Sequence, residues 1–356
     1  MAVTSKSPVA VTSAALAMAR RALPAYSHVC SPKKFTQHQL FACLVLKNFL
    51  KTDYRGVAAH LTDHPVLTQT VLELRCVPHY TTFQKASRRL LAWPQVRKLL
   101  GASIRMQFGR RRRVKSAAAD STGLESTSAS PYFVRRRNHV AGSWKTVIYH
   151  RYPKLGLICD IRCHFILAAH AGRGPRPDVD EFRPLVGEAL RWMRLARINA
   201  DAGYDSEPNH RFAREEHGIR TLIPPAIGRP TDKPARGRYR RLMQVRFDRD
   251  AYHDRCQVET VVSMLKRRQG SHTSGRSHHS RCRDLYLMVL THNAMILILI
   301  RVFYRAGPRG FIPSAPRSSA AGLRTIVGRR FGSSKRARGI ARFDRTQIVR
   351  LAVDRG

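Results

Sequence analysis

The sequence predicts an α/β protein: a mixed sheet flanked by helices, with a helical domain before it and a basic, disordered tail after it. Three observations carry this expectation. Apolar residues recur at helical spacing from Gln37 to about Leu100. Beyond Arg110-Arg111-Arg112-Arg113, short apolar runs alternate with amphipathic stretches in the order β-β-β-α-β-α-β-α, the pattern of a mixed sheet with helices on its faces. At 43% hydrophobic residues the chain can bury a sizeable core despite a net charge of +42.

Taken in order, residues 1–30 read as a basic, irregular N-terminus. Residues 31–109 read as the helical domain. Leu40, Phe41, Leu44, Val45 and Leu50 mark its first helix, with others expected over 54–61 and 66–74. After Pro78, Thr81 is the expected N-cap of a helix that carries Gln84, Lys85, Arg88 and Arg89 among apolar anchors. That helix suits the last element of a helix-turn-helix-like unit lying on DNA. An ordinary amphipathic helix with a solvated basic face explains the same residues equally well.

Residues 110–304 read as the sheet domain. Strands are expected over 114–120, 146–152 and 156–169, the three forming an antiparallel meander. An amphipathic helix follows over 178–195, then a strand at 198–201, a helix at 209–217 and a strand at 219–223. Residues 224–241 are a Pro/Gly/Arg-rich loop, and a long helix starts near Asp248 or Asp250 and runs to about Arg268. The apolar run 285–304 is interrupted by Thr291, His292 and Asn293, so it reads as a buried core helix and not a membrane span. Residues 305–356 read as a flexible arm: from Arg301 onward there are 14 Lys and Arg against only Asp344 and Asp354.

The charge narrows the function. The chain carries 65 Lys+Arg, of which 52 are Arg, against 23 Asp+Glu. Such an excess is superfluous for an enzyme of small neutral metabolites and implies a polyanionic partner. Arginine forks onto phosphate, although a GC-rich genome also enriches it. The seven cysteines are odd in number, widely spaced and without a C-x-x-C pair, so a disulfide framework is not expected. Cys159, Cys163 and His164 fall in an expected strand and lack a fourth zinc ligand. The His272, His278, His279 and Cys282 group reads as a DNA-contacting loop or a linker. Residues 9–19 imitate a signal peptide ending Ala17-Met18-Ala19. Thr12 and Ser13 interrupt them and Arg20-Arg21 follow, so a cytoplasmic chain is expected.

In so basic a chain the positions of the acids are informative. Asp120 is expected at the end of the first strand, in Ala117-Ala118-Ala119-Asp120-Ser121-Thr122-Gly123. Asp201 is expected at the end of a later one, in Asn199-Ala200-Asp201-Ala202-Gly203-Tyr204-Asp205. Neighbouring strands that each end in a carboxylate bring two hard oxygen donors to one sheet edge, which suits Mg²⁺ or Mn²⁺. Gly203 and Tyr204 read as a structural turn behind Asp201. On the long helix, taking ~100° per residue from Tyr252, Arg255 falls near ~300°, Glu259 near ~340° and Lys266 near ~320°. The four share one face, while Val258, Val262 and Leu265 can face the sheet and Asp254 points away. A carboxylate flanked by two cations and a phenol can hold a phosphodiester against divalent ions. The same face can also be a solvated helix with an i,i+4 Arg255–Glu259 pair.

Together, Asp120-Ser-Thr-Gly-Leu, Asp201-Ala-Gly-Tyr-Asp-Ser and Tyr252-x2-Arg255-x3-Glu259-x6-Lys266 resemble the DDE transposases of bacterial insertion sequences. The resemblance covers about residues 37–304 and implies a ribonuclease H-like fold. It implies that Asp120, Asp201 and Glu259 are catalytic and hold two Mg²⁺ or Mn²⁺ ions. It also implies that Tyr252, Arg255 and Lys266 hold the phosphates and bases of the element end. The helical region 31–109 is similar to the family's DNA-end-binding domain, so Gln84, Lys85, Arg88 and Arg89 are candidate DNA contacts. Only 58 positions separate Asp201 from Glu259, which leaves no room for the β insertion some relatives carry there. The Arg-rich tail departs from the family pattern. The implied activity is cleavage and strand transfer at terminal inverted repeats. The implied partner is double-stranded DNA, both element ends and target, bound by a nucleoid-associated homodimer with no membrane and no small-molecule substrate. A catalytically silent DNA-binding derivative, or a ribonuclease H-like nuclease without transposition, is the alternative.

Overall fold

The computed structural model describes residues 4–126, 133–140, 143–225 and 235–305, with only the backbone described for 133–150 and 298–305. The expected basic tail therefore lies outside the described residues beyond Arg305, as do residues 226–234 of the expected 224–241 loop.

The first departure from expectation comes at once. Residues 1–30 read as irregular, yet Pro8–Ala22 is a helix, α1. Ser7 caps it by accepting from the Ala10 amide, and Pro8 sits in the first turn, where its missing N–H costs nothing. The alanines between favour helix, and Val11, Ala15, Met18 and Ala19 are buried. α1 packs on α2 (Gln37–Phe49) and α5 (Trp93–Phe108). Thr36 and Gln39 form a capping box at the start of α2. α3 (Tyr54–Asp63) and a π-helical turn at Val66–Val71 follow.

α4 (Tyr80–Leu90) starts two residues earlier than expected, with His79 at the N-cap. Thr81 is not the cap; its hydroxyl bonds the His79 ring at 2.9 Å inside the first turn. Phe83, Ala86, Ser87 and Leu90 are buried, and Gln84, Lys85, Arg88 and Arg89 are all exposed.

The central sheet has five strands: β1 (Ala117–Gly123), β2 (Tyr152–Asp160), β3 (Ile166–Gly174), β4 (Arg197–Asn199) and β5 (Arg220–Leu222). Their order is β5-β4-β1-β2-β3. The β1-β2-β3 part is antiparallel, and β4 and β5 run parallel to β1. This is the expected mixed, ribonuclease H-like class with helices on its faces. Three expectations are corrected. Residues 156–169 are two strands, not one: Asp160 accepts from the Arg162 amide at 2.7 Å, and His164 adopts φ 57°, so the chain reverses within a largely apolar run. The 146–152 run is not in the meander; it lies mainly in a separate hairpin, Phe133–Val140 with Ser143–His150. The expected helix 178–195 is a 3-10 turn at Asp178–Asp180 and then α6 (Phe182–Leu190), after which Arg194–Leu195 pairs in parallel with Arg113–Val114.

α7 (Glu207–Arg211) and α8 (Arg238–Val245) precede the helix pair that replaces the expected single long helix: α9 (Arg249–His253) and α10 (Cys256–Gln269). At the junction the amides of Arg255, Gln257 and Val258 each reach the carbonyl three residues back, a tightened turn. Val258, Val261 and Leu265 are the buried positions of α10, so Val261 takes the place expected of Val262.

α11 (His278–Arg305) is buried from Leu285 through Leu297. Its polar interruption is fully bonded. Thr291 accepts from Asn48, and His292 bonds the His164 carbonyl at 2.9 Å. Asn293 accepts from the Ile166 amide, and donates to the Ile166 carbonyl and to Ser103. Burial drives His292 down to about 4, so its ring is neutral and serves as a donor. Farther up the helix, the Tyr286 hydroxyl accepts from the Ala171 amide, and Cys282 Sγ lies 3.8 Å from the Ala171 carbonyl. Among the described residues no helix is long and apolar enough to cross a membrane.

Candidate active site

Asp120 lies in the middle of β1, opposite Leu157, and not at a strand end as expected. Ser121, Thr122 and Gly123 extend the strand by pairing with Gly156, Leu155 and Lys154. Asp201 stands just beyond β4, separated from it by Ala200. Its carboxylate accepts from the Gly203 amide at 2.8 Å and opens the 3-10 turn Ala202–Tyr204. Because Ala118 pairs with Asn199 in parallel register, continuing both chains by two residues brings Asp120 and Asp201 side by side.

Glu259 arrives from the opposite direction, on the first turn of α10. Three contacts fix the α9–α10 junction against the sheet. Asn199 of β4 donates to the Ala251 carbonyl at 2.7 Å, Arg197 pairs with Asp254 at 2.8 Å, and Gln257 meets the His164 ring at 2.7 Å. Asp254 thus faces Arg197 and away from Glu259, as the helix geometry predicts. Arg255 bridges to Glu259 at 2.5 Å and lies 6.0 Å from the centre of the Tyr252 ring.

The electrostatics show that these groups share one environment. Burial pushes the Asp120 carboxyl up to about 6, opposed by the Ser121 amide and Arg255 and assisted by the negative charges of Asp201 and Glu259. Burial also raises the Tyr252 phenol, against the pull of Arg255 and with Asp201 and Glu259 adding. Burial works against the charge on Arg255, yet Tyr252, Glu259, Asp120 and Asp201 together raise its pKa. The structure therefore brings together Asp120, Asp201, Glu259, Tyr252 and Arg255.

It does not bring in the others. Lys266 is seven residues along α10 from Glu259, ~10 Å on the helix axis, and no ion pair joins it to the carboxylates among the described residues. Gln84, Lys85, Arg88 and Arg89 form a separate exposed face on α4.

The donor set is all oxygen, which is the chemistry a hard divalent cation requires. A cation among these acids would relieve the repulsion that helps raise Asp120. In this conformation Glu259 is engaged with Arg255, and among the described residues no three His, Cys, Asp or Glu side chains converge tightly enough to enclose one ion.

Behind the acids lies a polar cluster that sequence reasoning missed. Lys154, 4% exposed, meets Asp178 at 2.5 Å and Glu181 at 3.2 Å and donates to the Arg176 carbonyl at 2.6 Å. Ser121, next to Asp120, donates to Asp178 at 2.6 Å. The buried Tyr204 hydroxyl and Glu181 Oε2 make no hydrogen bond among the described residues. A β carbon on Gly203 would sit 3.0 Å from Asp201 and 3.2 Å from Asp178, so that glycine lets two carboxylates approach one turn. One signal was available: Lys154 interrupts the most apolar strand of the chain.

No curated protein sequence matches the chain. Among solved structures, a cryo-EM piggyBac transposase synaptic complex with hairpin DNA aligns at 10% identity and a TM-score of 0.44, covering 85% of this chain and 77% of that one. A crystal structure of a pre-cleavage Mos1 transpososome aligns at 13% identity and a TM-score of 0.20, covering 78% of this chain and 82% of that one. The family described as the transposase DDE domain matches residues 117–294, half of the chain and the span that holds all five strands and Asp120, Asp201 and Glu259. The chain belongs to the transposase DDE domain family.

Proposed function

We propose that this protein is a DNA transposase of an insertion sequence, which binds terminal inverted repeats as a homodimer and cuts and joins DNA strands. The observation that carries the reading is the convergence of a buried Asp120 with Asp201, Glu259 and Arg255 in a chain of net charge +42. Asp120, Asp201 and Glu259 would hold two Mg²⁺ or Mn²⁺ ions. Bound there, such ions supply an activated water or 3′-OH and stabilise the leaving oxygen. The chain's own groups do the rest. Arg255 has five donors and uses its fork on both Glu259 and a phosphate oxygen, holding the scissile linkage beside the acids. Tyr252 offers its ring to a base at the element end, and Lys266 takes a phosphate farther along α10. The exposed face of α4, with Gln84, Lys85, Arg88 and Arg89, contacts the duplex.

The test is cleavage of end-bearing DNA in Mg²⁺ by Asp120→Asn, Asp201→Asn and Glu259→Gln. Each variant is expected to bind the DNA and fail to cut it. Cutting at the wild-type rate by any one of them removes that residue from the assignment.

A further inference from the structure

A second cationic feature lies apart from the carboxylates. Arg151, Tyr152, Arg173, Arg276, His278 and Arg281 line a cavity of about 250 Å³ with no Asp or Glu among its described lining residues. The four arginines come from three chain segments: the approach to β2, the end of β3 and the head of α11. Some arginines elsewhere are tied to acids, as in Arg97–Glu188, Arg197–Asp254 and Arg220–Asp248. Among the described residues Arg173 and Arg276 make no ion pair. Like charges gathered in one wall repel across the ~8–10 Å over which salt leaves them unscreened, so the gathering favours an anion.

The walls are held in place before anything binds. Arg281 donates to the Gly275 carbonyl at 3.0 Å, and the Gly275 amide donates to Asp284 at 2.9 Å. The Tyr152 ring is seated against Gly123 and Gly174, where any β carbon would collide with it. The field is felt locally: burial, then the charges of Arg173, His279 and Arg281, hold the His278 ring below its ordinary pKa.

One ruler places the cavity relative to Asp120. Along β2, Leu157 is opposite Asp120 and Pro153 lines the cavity, four residues away or ~13 Å. A DNA strand rises ~3.4 Å per nucleotide along the duplex axis, so that distance spans at most roughly four nucleotides.

We propose that this cavity binds a backbone phosphate of the DNA strand engaged by the acids, within about four nucleotides of the scissile linkage. The proposal rests on the reading of this chain as a transposase and adds a specific phosphate subsite to it.

The experiment uses full-length protein and end-bearing duplexes that each carry one neutral methylphosphonate linkage, stepped along both strands from the cleavage point. Three proteins are compared: wild type, Arg173→Ser with Arg276→Ser, and a control of equal charge, Arg111→Ser with Arg194→Ser, two exposed positions outside the cavity. For wild type, one or two adjacent linkages within about four nucleotides of the cleavage point should weaken binding roughly tenfold when neutralised. In the cavity variant those same linkages should no longer matter, and the salt slope should fall by about one to two. The control should keep the wild-type pattern. An unchanged methylphosphonate pattern in the cavity variant overturns the proposal, whether or not overall affinity drops. Inorganic phosphate that binds wild type but not the variant by calorimetry, with that pattern unchanged, assigns the cavity to a free anion and also overturns it. Binding is read separately from cutting. Failure of the Asp120, Asp201 and Glu259 variants to behave as expected would thus strike the catalytic reading, and an unchanged methylphosphonate pattern in the cavity variant would strike only the cavity.

Discussion

Two cation–carboxylate assemblies flank β1, and they are built for opposite purposes. On the Asp120 side, Arg255 and Glu259 form an i,i+4 pair whose side chains are 21% and 56% exposed. On the Ser121 side, Lys154 sits between Asp178 and Glu181, with Lys154 4% and Glu181 2% exposed. Adjacent strand residues point to opposite faces, so one strand carries both. An exposed pair contributes little to folding and exchanges partners readily. A buried pair cannot lose a member without leaving an uncompensated charge. The outer assembly can therefore rearrange around a ligand while the inner one keeps β1 and the Asp178 turn where they are.

The comparison can be broken most directly at Lys154. Lys154→Met strands two carboxylates and should lower the unfolding free energy by about 3–5 kcal/mol in urea denaturation. A loss below about 1 kcal/mol would mean that the inner assembly is no more structural than the outer one.

Asp120 gives the next largest effect, with the opposite sign. Its folded pKa of about 6 lies above the ordinary 3.8, so the fold disfavours its ionised form. The penalty is absent below about pH 4, grows between 4 and 6 and is complete above 6. Asp120→Asn should therefore be more stable than wild type by up to about 3 kcal/mol above pH 6, an advantage that vanishes below pH 4. Thermal melts at pH 4 and pH 7 check this.

Ser121→Ala removes a hydrogen bond to a charged partner from the inner side and should cost about 2 kcal/mol. The smallest change in stability is expected for Arg255→Ala, about 0–1 kcal/mol. Cleavage by the same variant should slow roughly ten- to a hundredfold, as befits one lost charge-assisted contact. A destabilisation comparable to that of Lys154→Met would erase the distinction between the two sides.

The sequence made the outer assembly legible and left the inner one hidden, for a physical reason. Arg255 and Glu259 are four residues apart, and helix geometry alone predicts their contact. The tightened turn between α9 and α10 did not disturb that pair. Asp120 and Asp201 were visible because acids are scarce and both stand in small-residue surroundings. Lys154, Asp178 and Ser121 meet only through sheet pairing and the packing of α6, which no local spacing encodes. Two of the places where local signals misled are instructive. The largely apolar run 156–169 concealed a turn made by Asp160 and His164. The start of the chain read as irregular and basic, where Ser7 and Pro8 begin a helix with a buried apolar face.

The side chains that α11 lays along β3 have a consequence for assembly. β3 is a border of the sheet, and a border normally offers its amides and carbonyls to any strand that comes near. Here Asn293 occupies both backbone groups of Ile166, Tyr286 takes the Ala171 amide and Cys282 approaches the Ala171 carbonyl. A helix thus stands in for the missing neighbour and closes that border to strand addition. Two copies that met by extending the sheet would have to do so at the other margin, along Arg220–Leu222, or join through helices and DNA alone.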